Sequence, residues 1–175
     1  YRAKKSGGDR VEPFQPSFRM AVSDRLQLES DLRRAIDRRE ISMVYQPIVR
    51  LDDAEIAGFE ALMRWDHPRR GNIPPGEFIP IAESANLISE LGLFTIERAT
   101  ADLSIWLAQM GDIPFFMSVN VSSAQLINSN LAEDVRRALA HAECPADRVK
   151  LELTESIVMD NPEQSRLVLE KLRDI

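Results

Sequence analysis

Glu60, Asn120 and Glu152, with Arg64 four positions beyond the first, are the side chains of this chain best suited to do chemistry together. Side chains alternate across a β-strand, so parity decides which residues share a face. Strands are expected at about 42–49, 55–62, 115–121 and 149–154. On the third, Phe116, Ser118 and Asn120 share a face; on the fourth, Lys150, Glu152 and Thr154 do. Gln46 and Glu60 sit toward the ends of the first two. Each strand thus offers one polar residue near its C-terminal edge, where ligands bind in parallel α/β folds. Two carboxylates and two amides gathered there need a counter-charge, and a hard divalent cation supplies it; the oxygen set suits Mg2+ or Mn2+. Arg64 keeps its charge at any working pH and can fork onto a phosphate. Each residue also has a plain structural reading: a Glu60–Arg64 ion pair, a turn at Asn120, and a solvated strand end at Glu152 and Glu155.

Composition narrows the classes. The 175 residues suffice for one domain with a sizeable core. A formal net charge of -6 argues against a DNA- or RNA-binding surface, which must be basic to displace counterions. Cys144 is the single cysteine, which leaves no internal disulfide and no cysteine-cluster zinc site, and suits a reducing compartment; it reads as a packing residue. His67 and His141 are too few and too separated for a histidine metal site, and are expected to cap or cover surface. No apolar run approaches the ~20 residues of a membrane span, so no membrane contact is expected from this segment and a cytoplasmic location is.

The elements that must hold these residues alternate strand with helix. Residues 1–11 are basic and end in a glycine turn, as a helix terminus does. Residues 12–22, with Pro13 and Pro16, read as a linker, and 23–175 as the domain. Ser23 is the expected N-cap of a first helix whose inner face carries Leu28, Leu32 and Ile36; Arg33, Arg34, Arg38 and Arg39 form a solvated face, an anion patch being the alternative. Further helices are expected over 78–84, 90–110, 123–142 and 162–174, the last capped by Asp160 or Asn161 and striped by Val168, Leu172 and Ile175. Alternation of this kind implies an α/β fold with parallel pairing and right-handed crossovers.

Several separated motifs carry a resemblance. Tyr45-Gln46-Pro47-Ile48-Val49, Glu60-Ala61-Leu62, Trp65-Asp66-His67-Pro68, Gly71-Asn72-Ile73-Pro74-Pro75, Gly76-Glu77-Phe78-Ile79-Pro80, Ser118-Val119-Asn120-Val121-Ser122 and Leu151-Glu152-Leu153-Thr154-Glu155 occur in order. From about Leu26 onward the chain resembles the EAL family of cyclic di-GMP phosphodiesterases. The resemblance implies a modified TIM-type (β/α)8 barrel, of which roughly the first half lies within these residues. It implies metal ligation by Glu60, Asn120 and Glu152, ordering of an active-site loop by Glu155, and contact of Gln46, Leu62 and Arg64 with the cyclic dinucleotide. The implied reaction is metal-dependent hydrolysis of cyclic di-GMP to the linear pGpG. Further ligands, a lysine and a late glutamate base belong to the family pattern beyond Ile175. A half barrel with open apolar edges is expected to aggregate, swap or form a homodimer, and to be inactive alone. Residues 1–11 resemble the end of a GGDEF (diguanylate cyclase) domain, which implies a parent chain carrying both. The alternatives are a non-catalytic cyclic di-GMP receptor and a regulatory dimerisation module.

Overall fold

The computed structural model describes residues 16–111, 114–128, 130–153 and 162–175, with side chains over the same residues except 16–22 and 128. Helix α1 (Pro16–Leu32) precedes a hairpin of β1 (Ile41–Val49) and β2 (Ile56–His67), and a short β3 (Gly71–Ile73) follows. Helices α2 (Pro75–Ser84) and α3 (Ile88–Met110) lead to β4 (Phe116–Asn120). Helices α4 (Ser123–Asn128) and α5 (Leu131–Ala142) and a 3-10 turn (Ala146–Arg148) lead to β5 (Val149–Glu152), and α6 (Pro162–Arg173) comes last. The five strands form one open sheet in the order β1-β2-β4-β5, with β3 also on β2.

The pairing corrects the expected all-parallel arrangement. β2, β4 and β5 are parallel, but β1 lies antiparallel to β2, with Gln46 opposite Glu60 and Ile41 opposite Trp65. The reason is length: a parallel crossover needs roughly a dozen residues, and only residues 50–55 join β1 to β2. That link is a tight turn, closed by Arg50 N donating to Glu55 O at 2.9 Å and by the Arg50–Asp53 ion pair, with Ala54 at φ 60°. Pro47, which has no N–H to give, is tolerated because β1 ends the sheet.

Other boundaries also move. Ser23 lies inside α1 rather than capping it, since the helix already covers Pro16 onward, and a proline is accommodated in a first turn. Leu28 and Leu32 are buried as expected, while Ile36 falls in the turns after α1; Arg33, Arg34, Arg38 and Arg39 are exposed. The helix expected over 123–142 is two helices, α4 with Leu126 buried and α5 with a buried stripe of Leu131, Val135, Ala138 and Leu139. The capping residues proposed for α6 and the expected end of β5 at Thr154 lie outside the described residues.

Two cores lie along one face of the sheet. The odd-numbered face of β2, β4 and β5 packs on α3, α4, α5 and α6: Ala61, Met117 and Val119 are buried against Ile96, Leu103, Leu126 and Val135, with Val168, Leu172 and Ile175 alongside. Cys144 belongs to this core, and burial pushes its thiol up to about 11, with the charge of Asp147 adding to the rise. At the far end of β2, Trp65 is fully buried under α1 and α2 with Phe78, Leu28 and Leu91. Its Nε1 donates to Glu40 Oε2 at 3.1 Å, which removes the cost of burying an indole N–H. Odd residues therefore hold the sheet to its helices, and the even face is left for something else.

Candidate functional site

That even face carries every described residue singled out for chemistry. Gln46, Glu60, Leu62 and Arg64 share it on β1 and β2, Ser118 and Asn120 on β4, and Glu152 on β5, because register places Gln46 and Ser118 on either side of Glu60 and Glu152 opposite Asn120. Glu60 is not at a strand end, since β2 runs on to His67. It does lie near the end of the β2–β4 ladder, whose last partners are Ala61 and Val119. Beyond that point β4 stops and β3 takes over the same edge of β2 at Trp65.

Contacts across the strands join the carboxylates to β4. Asn120 Nδ2 donates to Glu60 Oε1 at 2.7 Å. Ser118 Oγ donates to Glu152 Oε1 in a short hydrogen bond. Val121 N donates to Glu152 O at 2.9 Å, fixing the β4 and β5 ends relative to each other. Among the described residues, neither Glu60 nor Glu152 has a cationic partner. Arg64 turns its Nη1 to the backbone oxygen of Met63 at 2.8 Å, so the Glu60–Arg64 ion pair is absent among the described contacts. Lys150, on the same face, holds its ammonium 3.4 Å over the Phe116 ring.

A cavity of about 450 Å³ opens beside this cluster where β4 ends. Leu62, Asn120 and Glu152 line it together with Pro75 and Ile79 of α2 and Gly92 and Thr95 of α3, while Gln46, Glu60 and Arg64 stand outside its wall. The loop after β4 is set by Gln125, whose Oε1 accepts from Ser122 N at 3.1 Å. Gln125 in turn fills the space above Gly92, where a Cβ would lie 1.7 Å from its Nε2. Any larger residue at Gly92 would have to displace the Gln125 amide.

The donor set fits a hard divalent cation. Each carboxylate spends Oε1 on a neutral donor and keeps Oε2, and Asn120, with its nitrogen engaged, keeps its oxygen. Oxygens from three adjacent strands, with no cation supplied among the described residues, match the ligand chemistry of Mg2+ or Mn2+. Glu155 lies outside the described residues.

Sequence reasoning missed three contributors. Ser118 shares parity with Asn120, which is a usable signal, but its partner Glu152 is 34 positions away. Gln125 and Gly92 act by packing, for which the sequence holds no local sign. His67 corrects the surface expectation: it is buried, with Nε2 3.3 Å from Asp31 Oδ2, because a carboxylate 36 positions earlier supplies the polar partner that its burial needs.

Comparison with known proteins identifies the family. The EAL domain family matches residues 29–175. The bifunctional diguanylate cyclase/cyclic di-GMP phosphodiesterase MucR of Pseudomonas aeruginosa is 36% identical over 172 residues, covering 98% of this chain and 25% of MucR. The cyclic di-GMP phosphodiesterase NbdA of the same species is 34% identical over 176 residues, covering 100% of this chain and 22% of NbdA. The chain thus spans about a quarter of the length of these curated relatives. Among solved structures, the PaMucR phosphodiesterase in complex with c-di-GMP superposes with a TM-score of 0.80 at 36% identity, over 85% of this chain and 60% of that one. The FimX EAL domain of Xanthomonas citri, also in complex with c-di-GMP, shares the fold with a TM-score of 0.74 at 21% identity, over 88% of this chain and 59% of that one. A mixed α/β fold with an open five-stranded sheet that matches EAL domains, and a family match across most of its length, lead to one conclusion: the chain belongs to the EAL domain family.

Proposed function

We propose that this chain supplies half of the active site of a metal-dependent phosphodiesterase that hydrolyses cyclic di-GMP to linear pGpG. The observation that carries the reading is the pair of cross-strand contacts, Asn120 to Glu60 and Ser118 to Glu152, which bring two carboxylates and an amide to one face of the sheet where β4 and β5 end, with no cation among the described partners. The names of MucR and NbdA, and the ligand of the PaMucR complex, support the choice of substrate.

Glu60, Asn120 and Glu152 would hold Mg2+ or Mn2+. When bound, the metal supplies Lewis-acid polarisation of the phosphoryl group and a water that is nucleophilic near neutral pH. Arg64, with Nη1 braced on Met63 O, presents its remaining N–H groups to a phosphate oxygen and offsets charge that grows during attack. Leu62 gives the dinucleotide an apolar contact at the cavity wall. Gln46, opposite Glu60, adds a neutral donor and acceptor. Glu155 is assigned to ordering the adjacent loop. The remainder of a (β/α)8 barrel would complete the site, so a homodimer or the full-length chain is the form to assay.

The near-complete alignment with a bifunctional cyclase/phosphodiesterase also favours residues 1–11 as the end of a GGDEF domain, 12–22 as a linker and 23–175 as EAL, although the family match itself begins at residue 29 with no GGDEF match beside it. The test is direct. The full-length protein with Mn2+ and cyclic di-GMP is expected to yield pGpG, followed by anion-exchange chromatography. Binding of the dinucleotide with no product at any pH from 6 to 9 would replace this reading with that of a receptor.

A further inference from the structure

Ser118 has no place in the reaction above, yet it is fully buried in the sheet directly beneath the exposed Asn120 and Glu152. It occupies the middle of the even face of β4, opposite Glu60 on one side and Lys150 on the other. Its hydroxyl has one proton to donate, and that proton goes along the sheet to Glu152 Oε1 rather than to a backbone carbonyl. Lys150 is its direct neighbour on β5 and the nearest cation in the sequence to Glu152. The Lys150 ammonium is instead 3.4 Å above Phe116, which leaves the carboxylate to the hydroxyl.

The two carboxylates are therefore treated alike by one strand. β4 gives Glu60 an amide proton from Asn120 and gives Glu152 a hydroxyl proton from Ser118, in each case on Oε1. A free glutamate on an exposed strand end samples many rotamers, and a hydrogen bond to one oxygen selects the rotamer and turns the other oxygen to a fixed direction. Outer partners of this kind orient metal ligands, and their loss commonly weakens metal binding about 10- to 100-fold.

From this geometry we infer that Ser118 is a positioning residue for divalent-metal binding, acting through Glu152; the inference rests on the metal reading of the site given above. It differs from a purely structural buried serine in what it predicts. A structural serine contributes to folding and leaves metal affinity alone. A positioning serine sets affinity for the metal in the absence of any substrate.

The experiment titrates Mn2+ into the full-length protein and follows the free ion by its electron paramagnetic resonance signal, with thermal melting as the fold control. Ser118→Ala is expected to bind Mn2+ ~10- to 100-fold more weakly than the native protein while melting within a few degrees of it. Ser118→Thr, which keeps the hydroxyl, is expected to restore affinity to within about threefold. Equal affinity in Ser118→Ala and native protein overturns the inference, as does a folded Ser118→Thr as weak as the alanine variant. An alanine variant that no longer folds also overturns it, making Ser118 a folding residue. If the native protein takes up no Mn2+, the metal reading itself falls, an outcome distinct from uptake that ignores Ser118.

Discussion

Two polar clusters in this molecule treat a carboxylate in opposite ways. Asp31, in α1, is buried, and its Oδ2 receives Gln27 Nε2 at 3.0 Å and Arg69 Nη2 at 3.1 Å, with His67 Nε2 at 3.3 Å; Arg34 stands 3.5 Å from Oδ1. The hydrogen bond from Gln27 holds its carboxyl below the usual range, aided by His67 and Arg69 and opposed by burial. Glu60 and Glu152, on the even face of the sheet, receive one neutral donor each and no cation among the described residues. A carboxylate that carries its own counter-charge braces two segments. Carboxylates with no such partner among the described residues are, in the function proposed above, the ones assigned to a metal. The comparison separates a structural cluster from a functional one by the origin of the positive charge, since both are polar and both join distant parts of the chain.

The largest expected effect tests the functional side. Glu60→Gln keeps the shape and removes the charge; pGpG formation by the full-length protein should fall ~1000-fold or more, equivalent to about 4 kcal/mol of barrier, with the melting temperature near native. Asp31→Asn should leave kcat within about twofold when assayed well below its melting point. If the two variants lose activity alike, the distinction between the clusters collapses. Next in size is the response to metal. Mn2+ at about 100 times its dissociation constant should stabilise the protein by ~2.7 kcal/mol, read by thermal shift with and without EDTA. Glu152→Gln should abolish that increment and Asp31→Asn should keep it. On the structural side, Asp31→Ala leaves His67 buried without its partner, and should cost about 2 kcal/mol in urea denaturation at an unchanged m-value.

The sequence made one cluster legible and hid the other for a physical reason. The strand period of two sets each polar residue opposite its own strand's apolar face, and burial of those apolar faces on one side selects the register that gathers Glu60, Asn120 and Glu152 on the other. Asp31 and His67 meet because α1 packs under the far end of β2, a tertiary fact with no periodic trace. Strand direction was equally invisible to periodicity: β1 alternates as well antiparallel as parallel, and only the short connection over 50–55 constrains it. β3 escaped because Gly71–Ile73 is too short to show any period. The single helix expected over 123–142 failed because an apolar pattern can continue in register through a break between two helices. Gly92 and Gln125 became meaningful only when the Gln125 amide was seen to occupy the space a Cβ at Gly92 would take.

The smallest expected effect concerns pH and tests whether the Asp31 cluster is self-neutralised as the distances imply. A carboxyl held lower in the folded state than in the unfolded chain adds stability that is fully present above the unfolded value, near 4, and is lost as pH falls through the folded value. The native protein should therefore lose part of its stability advantage over Asp31→Asn as pH is taken from about 5 to below 4. Asp24, held low by its hydrogen bond from Arg70, and Asp53, held low by Arg50, titrate over the same acid range in both proteins and cancel in the difference. EDTA throughout removes any contribution from the metal site. Urea denaturation curves for the two proteins, collected at half-unit intervals, report Asp31 together with His67, the titratable group in contact with it. A difference independent of pH would mean that Gln27, His67 and Arg69 do not favour the charged carboxyl, and Asp31 would lose its standing as the self-neutralised counterpart of Glu60 and Glu152.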